Sequence, residues 1–338
     1  MNSLADSLQF KVIVLFMVVG IVLGIIYYGY KLYIPVDGQQ QVEKIIKIDS
    51  GSSLVLISQK LYQQNLINNP FIFKTYVKLK GWEDNIQAGY YRLNSGVPIV
   101  DIVKKLAAGE TATYQFTIPE GATVEEIAVK INNKGYQINK EKFLQLAKKE
   151  KLNFLDNREQ TKYNLEGFLF PETYRFSYGS SEEEIINKML AEFKRQINPL
   201  RDTIKRSEYS LYQIIIIASL IEAEAKVTEE LTLISSVIYN RLQRKMKLQL
   251  DATIQYVLPE RKARLFYSDL EVGSLYNTYH YYGLPPGPIN NPGLEAIKAA
   301  LNPAETDYLY YVAIGNGRHK FTKTYQQHLK VQKQLNKE

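Results

Sequence analysis

From Val12 to Tyr30 the chain runs for 19 residues without a charge, bounded by Lys11 and Lys31. At about 1.5 Å per residue such a helix nearly matches a hydrocarbon core of about 30 Å, so the pattern predicts one transmembrane anchor over residues 12–33. Tyr27, Tyr28 and Tyr30 gather at one end of it, where an aromatic belt would lie. A cleaved signal peptide or a buried core helix are the competing readings. The absence of a small-x-small cleavage site and the length of the run favour an uncleaved anchor. No later apolar run is as long, which leaves the rest of the chain as a soluble body on one side of the membrane. Counting Lys11 on one side against Lys31, Lys44 and Lys47 on the other leans against a cytoplasmic N-terminus.

Residues 1–11 precede the anchor and a polar linker over 34–42 follows it. The hydrophobic pattern then repeats at a constant offset of 70 residues: IKIDSGSSLVLISQKL from Ile46 aligns with FTIPEGATVEEIAVKI from Phe116. Ile48 pairs with Ile118, Gly51 with Gly121, Ser53 with Thr123, Ile57 with Ile127, Leu61 with Ile131 and Phe73 with Phe143. Each copy reads as a strand, a glycine turn, a Ser or Thr cap and two short amphipathic helices. The first copy adds a returning strand, Ala88 to Leu93, and a helix from Ile99 to Leu106. Units of this βαα kind resemble sugar-binding LysM-type modules, and a packing module that binds nothing has the same pattern. The region 43–150 is thus expected to be α+β.

Composition narrows the chemistry. With 338 residues and 45% hydrophobic content the chain is not disordered, and 42 Lys+Arg against 35 Asp+Glu gives +7, scattered rather than blocked. That balance gives no support to a nucleic-acid partner and leaves an anionic membrane surface or an acidic polymer open. There is no cysteine, which removes disulfides, thiolate nucleophiles, Cys-ligated zinc and iron–sulfur clusters. His280, His319 and His328 lack a metal-ligand spacing, so neither a metal nor a cofactor is predicted.

The densest chemistry lies between Leu211 and Asp251. LYQIIIIASLIEAEAK places Glu222 and Glu224 after an apolar run from Ile214 to Ile221, a helix that must be buried on nearly all sides. Burial disfavours a carboxylate, so a Glu at the end of this run should have a raised pKa, the property a general acid needs. Two residues apart on a helix, the carboxylates diverge by about 200°, and only one can address a given cleft. The bland reading is an exposed helix end whose carboxylates pair with Lys226 or Arg241. Thr228 is expected to cap a following helix through SSVIYNRLQR.

YNLEGFLFPETYRF (163–176), LQLDATIQY (248–256), YNTYHYYGLPPGPINNPG (276–293), the helix EAIKAALNP and the strand YLYYVAI with its GNG turn complete the pattern. With the apolar-E-x-E block, these motifs occur in the order found in the endolytic murein transglycosylases, and the chain resembles that family from the anchor to about His328. The resemblance implies a bitopic membrane enzyme that cuts peptidoglycan glycan strands, with the catalytic domain over 151–338 mainly helical with a few strands. It carries the catalytic role onto Glu222, the first glutamate of the block. Ala223, Leu250 and Leu329 depart from the family's usual residues, which bears on substrate contacts near Leu250.

Glu166, Glu224, Gln249, Asp251, Asn277 and Tyr279 are the expected substrate-binding residues; those lying between elements either touch sugar or fix a turn. Tyrosines at 276–282 and 308–311 could stack on pyranose faces. The expected partners are peptidoglycan glycan strands, the cytoplasmic membrane and peptidoglycan synthases. The implied substrate places the body outside that membrane and the N-terminus in the cytoplasm. A water-using muramidase with Glu166 or Asp251 as second carboxylate, and a membrane-anchored glycan-binding scaffold, remain as alternatives.

Overall fold

The computed structural model describes residues 2–36, 42–132, 138–150 and 160–335. Residues 37–41 of the predicted linker, and 151–159 at the predicted start of the catalytic domain, lie outside them. The chain forms two compact units: Met1–Tyr114 with Ser177–Gly179, and Gln115–Phe176 with Ser180–Glu338.

In the first unit, α1 (Asn2–Tyr33) leads into β1 (Glu43–Ile48), α2 (Leu54–Gln63), α3 (Pro70–Leu79), β2 (Gly89–Asn94) and α4 (Ile99–Ala107). Strands β1 and β2 pair antiparallel from Glu43 opposite Asn94 to Ile48 opposite Gly89. Alternation turns Ile46, Ile48, Tyr91 and Leu93 inward, onto Ile57 and Leu61 of α2, Phe73 and Val77 of α3, and Val103 and Leu106 of α4. Leu32, at the end of α1, joins this core. Among the described residues, one helix, over Gln9–Tyr33, is long and apolar enough to cross a membrane. Its Ile13, Phe16, Ile21 and Ile25 side chains are exposed. A continuous apolar surface of this kind is costly in water and suits a single-pass anchor in lipid.

The second unit contains the rest: β3 (Thr113–Thr117), α5 (Val124–Asn132), α6 (Lys140–Lys149), β4 (Thr173–Ser177), α7 (Glu182–Ile197), α8 (Arg201–Arg206), α9 (Leu211–Glu224), α10 (Leu231–Gln243), α11 (Asp251–Val257), α12 (Leu294–Leu301), β5 (Tyr310–Gly315), β6 (Arg318–Thr322) and α13 (Tyr325–Leu335). β3 pairs with β4, and most residues of each strand belong to this unit. β5 and β6 form an antiparallel hairpin with a bulge between Ala313 and Gly315. At the centre lies α9, whose residues Ile214 to Ile221 are all buried, flanked by α10, α11 and α12.

The two repeat copies fold alike. Gly51 and Gly121 turn the chain with φ of 75° and 74°, a left-handed backbone that glycine adopts without strain. The Ser53 hydroxyl accepts the Leu56 N–H and the Thr123 hydroxyl accepts the Glu126 N–H. A further pair at the same offset, Asn69 and Asn139, caps α3 and α6 through the side-chain carbonyl. Ile48 and Ile118, Ile57 and Ile127, Leu61 and Ile131, and Phe73 and Phe143 are all buried. Copy one belongs to the first unit, and most of copy two to the second.

One local expectation is corrected. Thr228 does not cap α10 through its side chain: a 3-10 turn over Thr228–Glu230 precedes the helix, and no side chain caps it. Glu230 is instead buried, accepting the backbone N–H of His319 at 2.9 Å and facing its Nδ1 at 2.7 Å.

Candidate active site

The last turn of α9 delivers two carboxyl groups to different places, because residues 222 and 224 leave the helix on different faces. The Glu222 side chain lies against a pair of loops. Its Oε2 accepts the Gly293 N–H at 3.0 Å, and a Cβ added at Gly121 would stand 3.5 Å from its Cγ. A Cβ at Gly293 would meet the end of the exposed Glu120 side chain, which places that carboxyl close to the Gly293 backbone. Burial pushes the Glu222 pKa up, the Gly293 N–H opposes this, and the nearby negative charge of Glu120 adds to it.

A cleft of about 190 Å³ is lined by Gly121, Thr123, Ala223, Ala252, Tyr256 and Asn290 among others, residues that neighbour Glu222 in the chain or lie near it, while Glu222 itself does not line it. It places the first turn of copy two beside the end of α9.

Glu224 lines a second cavity, of about 380 Å³, with β5 and α13 forming part of its wall. The Tyr311 hydroxyl donates to Glu224 Oε2 at 3.0 Å, and burial raises the Glu224 pKa, with Tyr311 opposing and the Asp251 charge contributing. The T-shaped contact of Tyr311 with His319 connects it to the buried Glu230. Arg241 reaches the same cavity, its Nε donating to the Leu309 carbonyl and its Nη1 to that of Leu248. Burial lowers the pKa of its guanidinium.

Four of the six expected substrate-binding residues meet here: Glu224, Gln249, Asp251 and Tyr279. Gln249 is exposed and holds a left-handed backbone, φ 49°, secured by its N–H on the Thr278 carbonyl at 3.1 Å. Such a conformation in a non-glycine residue is strained and persists because its surroundings fix it. The Tyr279 hydroxyl donates to Asp251 Oδ1.

The other two lie elsewhere. Asn277 is fully buried: Nδ2 donates to the Leu270 and Val272 carbonyls at 2.8 and 2.9 Å, and Oδ1 accepts the Tyr279 N–H. It fixes the turn that presents Tyr279, and has no surface for a sugar. Glu166 is 1% exposed. Its Oε1 accepts Val124 N–H and Asn291 Nδ2, and its Oε2 accepts the Tyr256 hydroxyl at 3.1 Å. A place between elements predicts the cleft for both; local position does not reveal that distant segments cover them.

Sequence reasoning gives no role to Asn291, Gly293 or Glu120. The adjacent Asn290 and Asn291 within a Pro/Gly-rich loop are the available signal, since buried amides there have backbone groups to satisfy.

The YceG-like family model matches residues 46–334. Over 321 residues, 91% of this chain and 89% of its counterpart, the sequence is 38% identical to an endolytic murein transglycosylase of Bacillus subtilis. It is 31% identical over 319 residues to an endolytic murein transglycosylase of Streptococcus pneumoniae, covering 85% of this chain and 58% of that longer protein. The crystal structure of a YceG-like protein from Listeria monocytogenes superposes with a TM-score of 0.61 at 36% identity, covering 86% of this chain and all of the other.

Proposed function

Because this chain belongs to the YceG-like family, we propose that it is an endolytic murein transglycosylase, a membrane-anchored enzyme that cuts peptidoglycan glycan strands internally. The bond broken is the glycosidic bond between N-acetylmuramic acid and N-acetylglucosamine. Glu222 donates its proton to the glycosidic oxygen. The 6-hydroxyl of the same muramic acid then attacks C1, and the Glu222 carboxylate takes that hydroxyl's proton. The product is a 1,6-anhydro end, and no water is consumed. A hydrolytic glycosidase needs two carboxyl groups; in this reaction the nucleophile is already tethered to the reacting ring, so one suffices.

The observation that supports this role is the environment of Glu222. Desolvation at the end of an apolar helix, with Glu120 nearby, favours the neutral acid, while the Gly293 N–H on Oε2 leaves the other oxygen to carry the reacting proton. A second reading assigns the acid to Glu224, favoured by the larger cavity around it. With Glu222 as the acid, that cavity, with Gln249, Asp251 and Tyr279, binds a flanking sugar. Its tyrosine faces and its mixture of acid and guanidinium suit a polar pyranose.

The same reading assigns residues 1–11 to the cytoplasm, 12–33 to the membrane, 34–42 to a linker, 43–150 to a LysM-like region and 151–338 to catalysis outside the cytoplasmic membrane. Peptidoglycan synthases are the partners this placement suggests. The test is mass analysis of glycan ends after incubating the full-length chain with uncrosslinked peptidoglycan. Anhydro ends are expected, whereas new reducing ends would mean a muramidase and no new ends a binding scaffold.

A further inference from the structure

Glu166 and Asn291 form a buried polar junction whose connections converge on the two loops that hold Glu222. Asn291 is 0% exposed and bonds in four directions. Its Nδ2 donates to the Ala122 carbonyl at 2.8 Å and to Glu166 Oε1 at 3.1 Å, and its Oδ1 accepts the Leu169 N–H at 2.8 Å. Its backbone N–H donates to the Ala122 carbonyl and its carbonyl accepts the Gly121 N–H, forming an isolated antiparallel bridge between residues 122 and 291. Glu166 locks this bridge from behind, through Asn291 and through the Val124 N–H at the first turn of α5. The bridge sets the 120–123 loop against the 290–293 loop. One loop supplies Glu120 and Gly121, the other the Gly293 N–H, and all three surround the Glu222 carboxyl.

We propose that Glu166 is a positioning residue, which through Asn291 and the start of α5 fixes the Gly293 N–H and Glu120 around the Glu222 carboxyl and touches no substrate itself. The proposal rests on Glu222 being the acid. It also gives Glu166 a required chemistry. An acceptor is needed for Val124 and Asn291 at one oxygen and a partner for the Tyr256 hydroxyl at the other, but a negative charge is not needed. Burial pushes the Glu166 pKa up to about 8, in keeping with a carboxyl that works as a neutral group. A glutamine fits the same pattern: its carbonyl accepts from Val124 and Asn291, and its amide donates to the Tyr256 hydroxyl, which can accept.

The test compares the full-length wild type with E166A, E166Q, Asn291→Ala and E222Q on uncrosslinked glycan strands, reading kcat, KM and the thermal midpoint of each. E166A is expected to lower kcat by about 10- to 100-fold with KM nearly unchanged, the scale of a misplaced catalytic group. E166Q should restore kcat to within a few-fold of wild type. Asn291→Ala leaves Glu166 and every backbone bond in place, so it should show the same split between kcat and KM, and it carries the test if E166A does not fold. A folded E166Q as inactive as E222Q would overturn the proposal in favour of a second reacting carboxylate at Glu166. Wild-type kcat in E166A, or in Asn291→Ala where E166A does not fold, with E222Q inactive, would overturn the positioning role alone. Wild-type kcat in E222Q would overturn the acid assignment, and with it the role given to Glu166.

Discussion

Glu222 and Glu224 stand two residues apart at the end of the same helix, yet Glu222 takes the backbone N–H of Gly293 and Glu224 takes the hydroxyl of Tyr311. Their separation on the helix surface makes the two carboxyl groups independently testable. E222Q keeps the volume and removes the titrating proton, so turnover should fall by about 10²–10⁴-fold or more while glycan binding survives. E224Q should cost less and act mainly on KM. The reverse ranking, read from the yield of anhydro ends, would move the acid to Glu224.

Burial is the main cause of the raised Glu222 pKa, and the charge of Glu120 adds to it. An acid catalyst loses activity as pH rises through its own pKa. Glu120→Gln removes the like charge and lowers that pKa, so less of Glu222 is protonated at a given pH. The alkaline limb of kcat/KM is therefore expected to move to lower pH. An unmoved limb would mean that Glu120 does not act on the catalytic proton.

Glu166 links stability to pH. Its carboxyl is raised from 4.5 in the unfolded chain to about 8 in the folded one, so between those values the folded state holds a proton that the unfolded state has lost. Its contribution is full below about pH 4.5, falls as pH rises, and levels off above about 8. Glutamine does not titrate. The thermal midpoint of the wild type should therefore drop relative to that of E166Q between pH 5 and pH 8, and a constant difference would rule out the raised carboxyl.

Gly51 and Gly121 offer a matched pair. An alanine at either must adopt φ near 75°, at a cost of about 1–2 kcal/mol in folding stability. A new methyl group meets nothing within 4 Å at position 51, but stands 3.5 Å from Glu222 at position 121. Denaturant midpoints should fall in both variants, and turnover should fall more in Gly121→Ala.

Membrane topology is accessible to a fusion after Glu338 of a reporter active only outside the cytoplasm. An N-terminus in the cytoplasm and a catalytic body beyond the membrane require that reporter to be active. A silent fusion that is stably expressed would reverse the orientation.

What can be read from the chain follows from how local each feature is. The anchor, the apolar run of α9 and the strand, glycine, cap and helix order of each repeat copy are written in neighbouring residues, and the structure has them at those positions. The strand from Gly89 to Asn94 and the helix from Ile99 to Ala107 likewise lie within a residue or so of expectation. Glu166 and Asn277 look like cleft residues in the sequence because their neighbours look like loop residues. Their burial depends on residues far along the chain, such as Val124, Tyr256 and Asn291 around Glu166. Spacing alone carries no record of which distant segment will cover a polar group. The cavity at Glu224 is illegible for the same reason, since part of its wall is built by a strand and a helix near the C-terminus.

The bridge between Ala122 and Asn291 has a temporal side. Its side-chain bond joins positions 169 residues apart, and Gly293 follows Glu222 by 71. Contacts so remote form after local ones, because the loop they close must first exist and then be ordered. Chains are made from the N-terminus, so α9 is complete and the anchor long since synthesised before the ribosome reaches the Gly293 amide. Until then Glu222 lacks its backbone partner and one of its two loops. With Glu222 as the acid, the cutting chemistry therefore waits on synthesis of the chain past residue 293, and a shorter growing polypeptide has no assembled acid.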